Sequence, residues 1–158
     1  MSFFVASGGV FVENIKLMNM CKIIDEKNNM VLVQKRVKNW NGIAFPGGKI
    51  QNGESVVKST IREIKEETGL EISNLQLCGI KNWYNEQKNE RSIVFLFQTT
   101  SFIGNLITDM DEGQNFWIPE KELLKSEIAN NFDIMLKIYN DSYSEMIYDE
   151  EIADWDLY

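Results

Sequence analysis

Residues 48–70, GKIQNGESVVKSTIREIKEETGL, constrain this chain more than any other stretch. A glycine turn opens it, Ser55 gives a helix-start signal, and Gly69 supplies the left-handed stop that ends a helix. On a helix turning about 100° per residue, Val57, Ile61, Ile64 and Thr68 fall in one stripe, which is expected to face the core. Glu63, Glu66 and Glu67 then stand together on the opposite side. Like charges three or four residues apart destabilise a helix by about 0.2–0.5 kcal/mol per pair. They also sit in the last two turns, where the helix dipole disfavours anions. A chain that keeps three carboxylates there either leaves them as a solvated face or seats a cation on them.

The rest of the chain narrows the chemistry. There is no histidine, which removes every mechanism needing a histidine base or ligand and leaves carboxylates as the obvious acid–base and metal groups. Cys21 and Cys78 are the only cysteines and form no CxxC spacing. That argues against a zinc site or a disulfide framework and for a reducing cytoplasm. No apolar run approaches the length of a membrane span. The apolar N-terminus is broken by Ser7-Gly8-Gly9 and has no basic segment before it, so it reads as an added strand or hairpin rather than a signal peptide. The net charge is −8, yet residues 141–158 hold seven acids and no Lys or Arg, leaving 17 acids to 16 bases elsewhere. No basic stripe for polymeric nucleic acid is visible. A small anionic substrate can still bind where a metal ion supplies positive charge.

A length of 158 residues suits one domain. Within it, 1–15 form an N-terminal extension and 141–158 an acidic C-terminal segment. Strands are predicted at 17–24, 30–35, 43–45, 75–83, 92–99 and 116–118 from β-branched and aromatic enrichment. Helices are predicted at 55–68, after Pro119, and over 131–143. The two kinds of element do not strictly alternate, which gives a mixed β-sheet between helices, an α/β (α+β) class. Tyr143, Met146, Ile147, Tyr148, Ile152, Trp155, Leu157 and Tyr158 interleave with the acids of the tail, which is therefore expected to fold back on the domain.

Gly48, Glu54 and the run Arg62-Glu63-Ile64-x-Glu66-Glu67-x-Gly69-Leu70 fix nine positions. A chance match at a given start is on the order of 10⁻⁹ to 10⁻¹⁰ at ordinary residue frequencies. The pattern resembles the box of the Nudix hydrolase family at every constrained position. The resemblance implies an α/β/α sandwich and hydrolysis of a nucleoside diphosphate linked to another group. It further implies that Glu63, Glu66 and Glu67 bind a divalent metal, directly or through water, with the Gly47 carbonyl often joining them. Oxygen-only ligands suit Mg²⁺ or Mn²⁺. Pro46-Gly47-Gly48 makes a tight turn that lets backbone approach closely, with Gly48 a candidate substrate contact. Arg62 is expected to orient a glutamate by a bidentate bond. Glu54 either ties the loop to the helix start or serves as a first-turn acid.

The resemblance extends to the MutT-type branch, which cleans oxidised purine nucleotides from the precursor pool. Ala44-Phe45-Pro46-Gly47-Gly48 looks like its approach strand. Asp111-Glu112-Gly113-Gln114 followed by Trp117 is similar to its loop with a further metal-linked glutamate, which makes Glu112 a fourth acid of the site. A plain acidic turn is one rival, and a calcium loop at Asp109-x-Asp111-x-Gly113 is another, though its glycine comes one position too early. Arg91 matches an arginine near the bound nucleotide, and Arg36 is a phosphate candidate. Asn130 resembles an asparagine that reads the purine edge; Asn131 is adjacent, and a helix N-cap fits either. Phe45, Trp83 and Trp117 could stack on a base, although strand aromatics are more often core.

Gly79 to Trp83 and the acidic, Trp-containing C-terminus also look like a Gram-positive bacterial group of 8-oxo-dGTP diphosphatases. Two departures leave the substrate open: Ala44 stands where the best-known branch has an acid, and residues 1–15 have no clear counterpart. The expectation is a Mg²⁺-dependent nucleoside triphosphate pyrophosphohydrolase in the cytoplasm, monomeric or homodimeric, turning 8-oxo-dGTP into 8-oxo-dGMP and pyrophosphate. ADP-ribose, a dinucleoside polyphosphate or a coenzyme A ester are the alternative substrates, and a non-catalytic nucleotide-binding module is the alternative class.

Overall fold

Strand β1 (Asn14–Asp25) shows how period-two patterning builds the molecule. Met18, Met20 and Ile24 pack on one side of it, and Cys21 and Ile23 on the other, because successive side chains point to opposite faces of a strand. The computed structural model describes residues 12–38, 41–111 and 113–158. Glu112 and most of the N-terminal extension therefore lie outside the described residues.

After β1 come β2 (Met30–Arg36), β3 (Gly42–Ala44) and helix α1 (Val56–Thr68). β4 (Glu71–Ser73), β5 (Gln76–Asn85), β6 (Glu90–Thr99) and β7 (Ser101–Ile103) follow. The chain ends with β8 (Asp109–Met110), β9 (Gly113–Pro119), helix α2 (Phe132–Asn140) and the hairpin β10 (Glu145–Asp149) and β11 (Asp154–Leu157). The main sheet runs β11-β10-β5-β6-β1-β2-β9-β8, with β3 beside β2. It is mixed, as expected: β1 pairs parallel with β6 and β10 with β5, while the other pairs are antiparallel. One core lies under α1, with Cys21, Ile23, Leu32, Ile64, Leu70, Ile72 and Phe97. The other lies under α2, where Phe132, Met135, Leu136 and Ile138 meet Val31, Val33, Phe45, Leu96 and Met146. This is the predicted α/β/α sandwich.

Three expectations need correction. Val57 is 44% exposed and no part of the core. Helix α1 is rotated so that Val56, Thr60, Ile64 and Thr68 face the sheet, with Ile61 beside them. The two buried threonine hydroxyls donate to the carbonyls four residues back, Thr60 to Val56 and Thr68 to Ile64, so burial leaves no donor unpaired. The segment after Pro119 is a 3₁₀ stretch, Glu120–Lys125, rather than an α-helix. Helix α2 also stops at Asn140, short of Tyr143.

The acidic tail does fold back. β10 adds to the sheet beside β5, and Trp155 of β11 packs edge-on against Trp83, with ring centroids 6.3 Å apart. Lys81 lies under both indoles, its Nζ 4.5 Å from the Trp155 centroid, a favourable cation–π distance. Burial pulls the Lys81 ammonium down to about 8.

Gly69 ends α1 with φ 78°, and its N–H donates to the Lys65 carbonyl. A Cβ there would also lie 2.8 Å from Ile107 Cγ1 and 2.9 Å from the Asn105 carbonyl. Gly53, in the turn before the helix, has φ 73° but nothing within 4 Å of its missing Cβ. The left-handed backbone alone costs a residue with a Cβ about 1–2 kcal/mol. Gly53→Ala should therefore lose about that much in urea unfolding. Gly69→Ala should lose clearly more, since it adds overlap with the 105–107 segment; equal losses would contradict the packing.

Candidate functional site

Pro46, Gly47 and Gly48 run beside β1 in close contact. The amides of Cys21 and Asn19 donate to the Pro46 and Gly48 carbonyls at 3.0 and 2.9 Å. A Cβ on Gly47 would lie 2.2 Å from the Asn19 carbonyl, and one on Gly48 2.1 Å from a Glu63 carboxylate oxygen. Position 47 therefore requires glycine, because backbone blocks its Cβ, whereas a Cβ at 48 would only displace the Glu63 carboxylate. Asn19, only 3% exposed, fastens the turn: its Oδ1 accepts from Gly48 N–H at 3.2 Å, and its Nδ2 donates to Ser59 Oγ at 3.0 Å. Gly47 N–H points the other way and donates to Glu67 at 3.2 Å. Backbone groups alternate in such a ladder, so the Gly47 carbonyl is directed to the glutamate side.

Helix α1 starts at Ser55, whose hydroxyl accepts from the Lys58 amide. Two turns later Arg62 gathers the box acids. Its Nε and Nη2 grip both oxygens of Glu54 at 2.8 Å, and its Nη1 reaches Glu63 at 2.9 Å and Glu66 at 3.0 Å. Nη2 also donates to the Lys49 carbonyl at 3.2 Å. Arg62 thus makes its bidentate bond to Glu54 and single bonds to Glu63 and Glu66. Glu54 ties loop to helix, also accepting from the Gln51 amide at 3.0 Å. The Arg62 bonds, then the Gln51 amide, push the Glu54 carboxyl down to about 2, and Glu54 in turn raises the Arg62 guanidinium.

The glutamates open onto a cleft of about 420 Å³ lined by Gln34, Glu63, Glu66, Glu67, Asp109, Met110 and Asp111. Among the described residues its lining holds five carboxylates and no Lys or Arg. From the sequence, Asp109 and Asp111 were read as a plain acidic turn or a rival calcium loop, with Asp111 opening the MutT-like loop; the β8–β9 hairpin brings both opposite the helix. Asp109 is held by Gln114 Nε2 and Thr108 Oγ1, each at 3.1 Å. Among the described residues no three acidic or thiol groups converge closely enough to grip a metal ion. The donor set nevertheless fits a hard divalent cation. Glu63 and Glu66 each take one bond from Arg62, which is held by two bonds to Glu54, and partly exposed pairs of this kind are worth only about 0–1 kcal/mol. Glu63, Glu66, Glu67 and the Gly47 carbonyl are the groups that would hold it.

The other predicted residues are spread over the molecule. Arg36 follows Gln34 on the same face of β2 and donates at 3.3 Å to the Oε1 of that cleft-lining residue, without lining the cleft itself. Arg91 lies at the start of β6, bonded to Glu13 at 2.9 Å and to Asn82 at 3.1 Å, and lines no part of the acidic cleft. Asn130 is exposed on the α2 side, just after Ala129, whose amide donates to the Ile43 carbonyl. Asn131 holds the N-cap position of α2 without a side-chain cap bond. Phe45 is 1% exposed and meets Phe132 and Tyr139 edge-on at 4.9 and 5.3 Å. It is a core side chain with no free face for stacking, which corrects that expectation. Trp117 packs on Phe102.

Sequence reasoning missed Asn19, Gln34 and Asn115, all buried polar residues of the strands around the cleft. Their only signal was polarity at positions where strand alternation calls for apolar side chains.

The depressed Glu54 carboxyl has a definite acid signature. Its stabilising contribution is fully present above the unfolded value near 4.5 and is lost as pH falls from there through about 2. In melting curves between pH 6 and 2, Glu54→Gln should be less stable than the parent at neutral pH and converge with it toward pH 2. A constant gap across that range would refute the Arg62–Glu54 linkage.

Comparison with known proteins agrees with this geometry. Residues 18–138 match the NUDIX domain family. The chain is 33% identical over 98 residues to the uncharacterized Nudix hydrolase YvcI of Bacillus subtilis, a match covering 60% of this chain and 61% of YvcI. It is 33% identical over 57 residues to the 8-oxo-dGTP diphosphatase of Proteus vulgaris, covering 35% of this chain and 51% of that enzyme. The crystal structure of a MutT protein from Bacillus halodurans superposes with a TM-score of 0.74 at 24% identity, covering 90% of this chain and 97% of that one. With a family match across most of its length, an intact box and the sandwich that carries it, the chain belongs to the Nudix family.

Proposed function

We propose that the protein is a divalent-metal-dependent nucleoside triphosphate pyrophosphohydrolase of the cytoplasm that removes oxidised purine nucleotides, converting 8-oxo-dGTP to 8-oxo-dGMP and pyrophosphate. The observation that carries the reading is the placement of Glu63, Glu66 and Glu67 beside the Gly47–Gly48 turn, facing Asp109 and Asp111 in one cleft. Five carboxylates without a lining cation make an unfavourable place for a polyphosphate alone, and a favourable one for a polyphosphate that arrives with cations. The 8-oxo-dGTP assignment draws on the Proteus relative and on the MutT-type features of residues 44–48 and 111–117.

Mg²⁺ or Mn²⁺ on Glu63, Glu66, Glu67 and the Gly47 carbonyl, with Glu112 as a further ligand, would neutralise charge on the diphosphate and acidify a bound water. Water adds to an internal phosphorus, the bond to the pyrophosphate oxygen breaks, and the water's proton passes to a carboxylate of the cleft. Arg62 holds Glu63 and Glu66 in register without touching substrate. Arg36, bonded to the cleft-lining Gln34, takes a phosphate, and Gly48 lets the substrate come close to the backbone. Arg91 and Asn130 contact the nucleoside, Asn130 by donating to and accepting from the purine edge.

Pyrophosphate and phosphate release from a nucleotide panel tests the reading, with 8-oxo-dGTP, dGTP, ADP-ribose and a dinucleoside polyphosphate each offered with Mg²⁺. Highest kcat/KM on 8-oxo-dGTP is the expected result, and preference for ADP-ribose would replace it with the alternative substrate class. Glu66→Gln and Glu67→Gln should each lower turnover by about two orders of magnitude or more, since metal-site acids act as a unit. Their thermal stability in cation-free buffer should match or exceed the parent's, because a repelling charge is removed. Retained activity in the double variant would defeat the assignment.

A further inference from the structure

We propose that Asn115 is a positioning residue of the acidic cleft: its buried carboxamide sets the Asp109–Asp111 turn at a fixed distance from Glu66 and Glu67, so that both acidic walls act on one divalent cation. The inference rests on the metal-dependent reading above.

Asn115 lies in β9 opposite Gln34 of β2 and is 1% exposed. A buried carboxamide is costly unless its hydrogen bonds are made, and here they are made to three separate parts of the site. Nδ2 donates to the Glu67 carbonyl at 2.6 Å and to the Ile107 carbonyl at 2.9 Å. Oδ1 accepts from Gln34 Nε2 at 3.2 Å, and the Asn115 amide donates to the Thr108 carbonyl at 2.7 Å. The Glu67 carbonyl belongs to the last turn of α1, where carbonyls have no partner within the helix. Asn115 therefore caps the helix end that carries two box glutamates. With the same nitrogen it holds the segment that runs directly into Asp109.

The surrounding contacts reinforce this strap. The Ile107 amide donates to the Thr68 carbonyl at 2.8 Å, and the bare Gly69 lets the 105–107 segment lie against the helix end. Gln34, itself a cleft wall, completes the chain of amides by accepting from Arg36. One carboxamide thus sets the spacing between the helix wall, the acidic turn and the strand that carries a phosphate candidate. An apolar residue of similar size would fill the volume but would hold none of the three.

The test measures Mn²⁺ binding, by the spectroscopic signal of the free ion, well below the melting temperature of each variant. Asn115→Ala should weaken binding about tenfold, the low end of the range for residues that orient metal ligands, and raise the Mg²⁺ needed for half-maximal turnover by a similar factor. Asn115→Ser, which keeps one donor, should fall between and decides the matter if the alanine variant does not fold. Asp109→Asn/Asp111→Asn should weaken Mn²⁺ comparably, and adding Asn115→Ala to it should weaken it no further, because coupled residues are not additive. Thr99→Val, which removes a buried bond to the Ser73 carbonyl away from the cleft, should lower the melting temperature and leave Mn²⁺ binding unchanged. Parental Mn²⁺ affinity in both Asn115 variants, with only a lower melting temperature, overturns the proposal, as do additive losses with the aspartate variant. A parent protein that binds no Mn²⁺ and releases no pyrophosphate overturns the metal-dependent reading itself.

Discussion

The paired bonds between Arg62 and Glu54 are the constraint on which the site depends. Three glutamates within five residues at the C-terminal end of a helix repel one another and the helix dipole alike. Arg62 offsets this with one guanidinium that reaches Glu54, Glu63 and Glu66 together. Its planar fork suits the double bond to Glu54 in a way that a lysine could not match. Because Glu54 holds two of its nitrogens, Arg62 stays in place whether or not Glu63 and Glu66 lean on it. The cluster is therefore tolerable without a cation and remains free to accept one.

That anchoring works only because the backbone around it is drawn in tightly. Glycine at 47 and 48 allows the turn to touch β1 on one side and Glu63 on the other. Asn19 locks the turn to Ser59 in the first half of α1, and Asn115 locks the last turn of α1 to β9. The helix is thus fixed to the sheet by polar bonds near both ends and by Ile64 between them. Burying a side chain such as Ile64 supplies about 1.5–3 kcal/mol without direction. The asparagines add direction, which a constellation of carboxylates needs more than added stability.

These features differ in how far the sequence reveals them. The grouping of the three glutamates with Arg62 beside them was legible because one helix carries them all and helical geometry converts spacing into position, whereas the choice of Glu54 as the main partner of Arg62 was not. The mixed sheet and the folding back of the tail were legible from patterning and from aromatic content. The rotation of α1 was not. Thr60 and Thr68 look polar, yet both are buried by bonding back along the helix, while the apolar Val57 is left at the surface. Asn19, Gln34 and Asn115 were invisible as site residues for a related reason: a buried amide is distinguished from a surface one only by partners distant in sequence, and theirs lie up to 81 residues away. Asp109 and Asp111 joined the cleft through a hairpin whose register local spacing does not determine.

The same logic explains why reaction class reads more clearly than substrate. The residues proposed for metal and water chemistry hang on one helix with a fixed start and stop. Those expected to meet the phosphates and the nucleoside sit on different elements and on both sides of the sheet. Asn130 follows a 3₁₀ stretch on the α2 side, Arg36 ends β2 on the α1 side, and Arg91 begins β6, where Glu13 and Asn82 already engage it. Phe45, adjacent to the glycine turn in sequence, serves the α2 core instead. Each of these positions depends on loop length and strand register, which vary at little energetic cost. A fold arranged this way can keep one hydrolytic seat unchanged while the nucleoside side is rebuilt for another substrate.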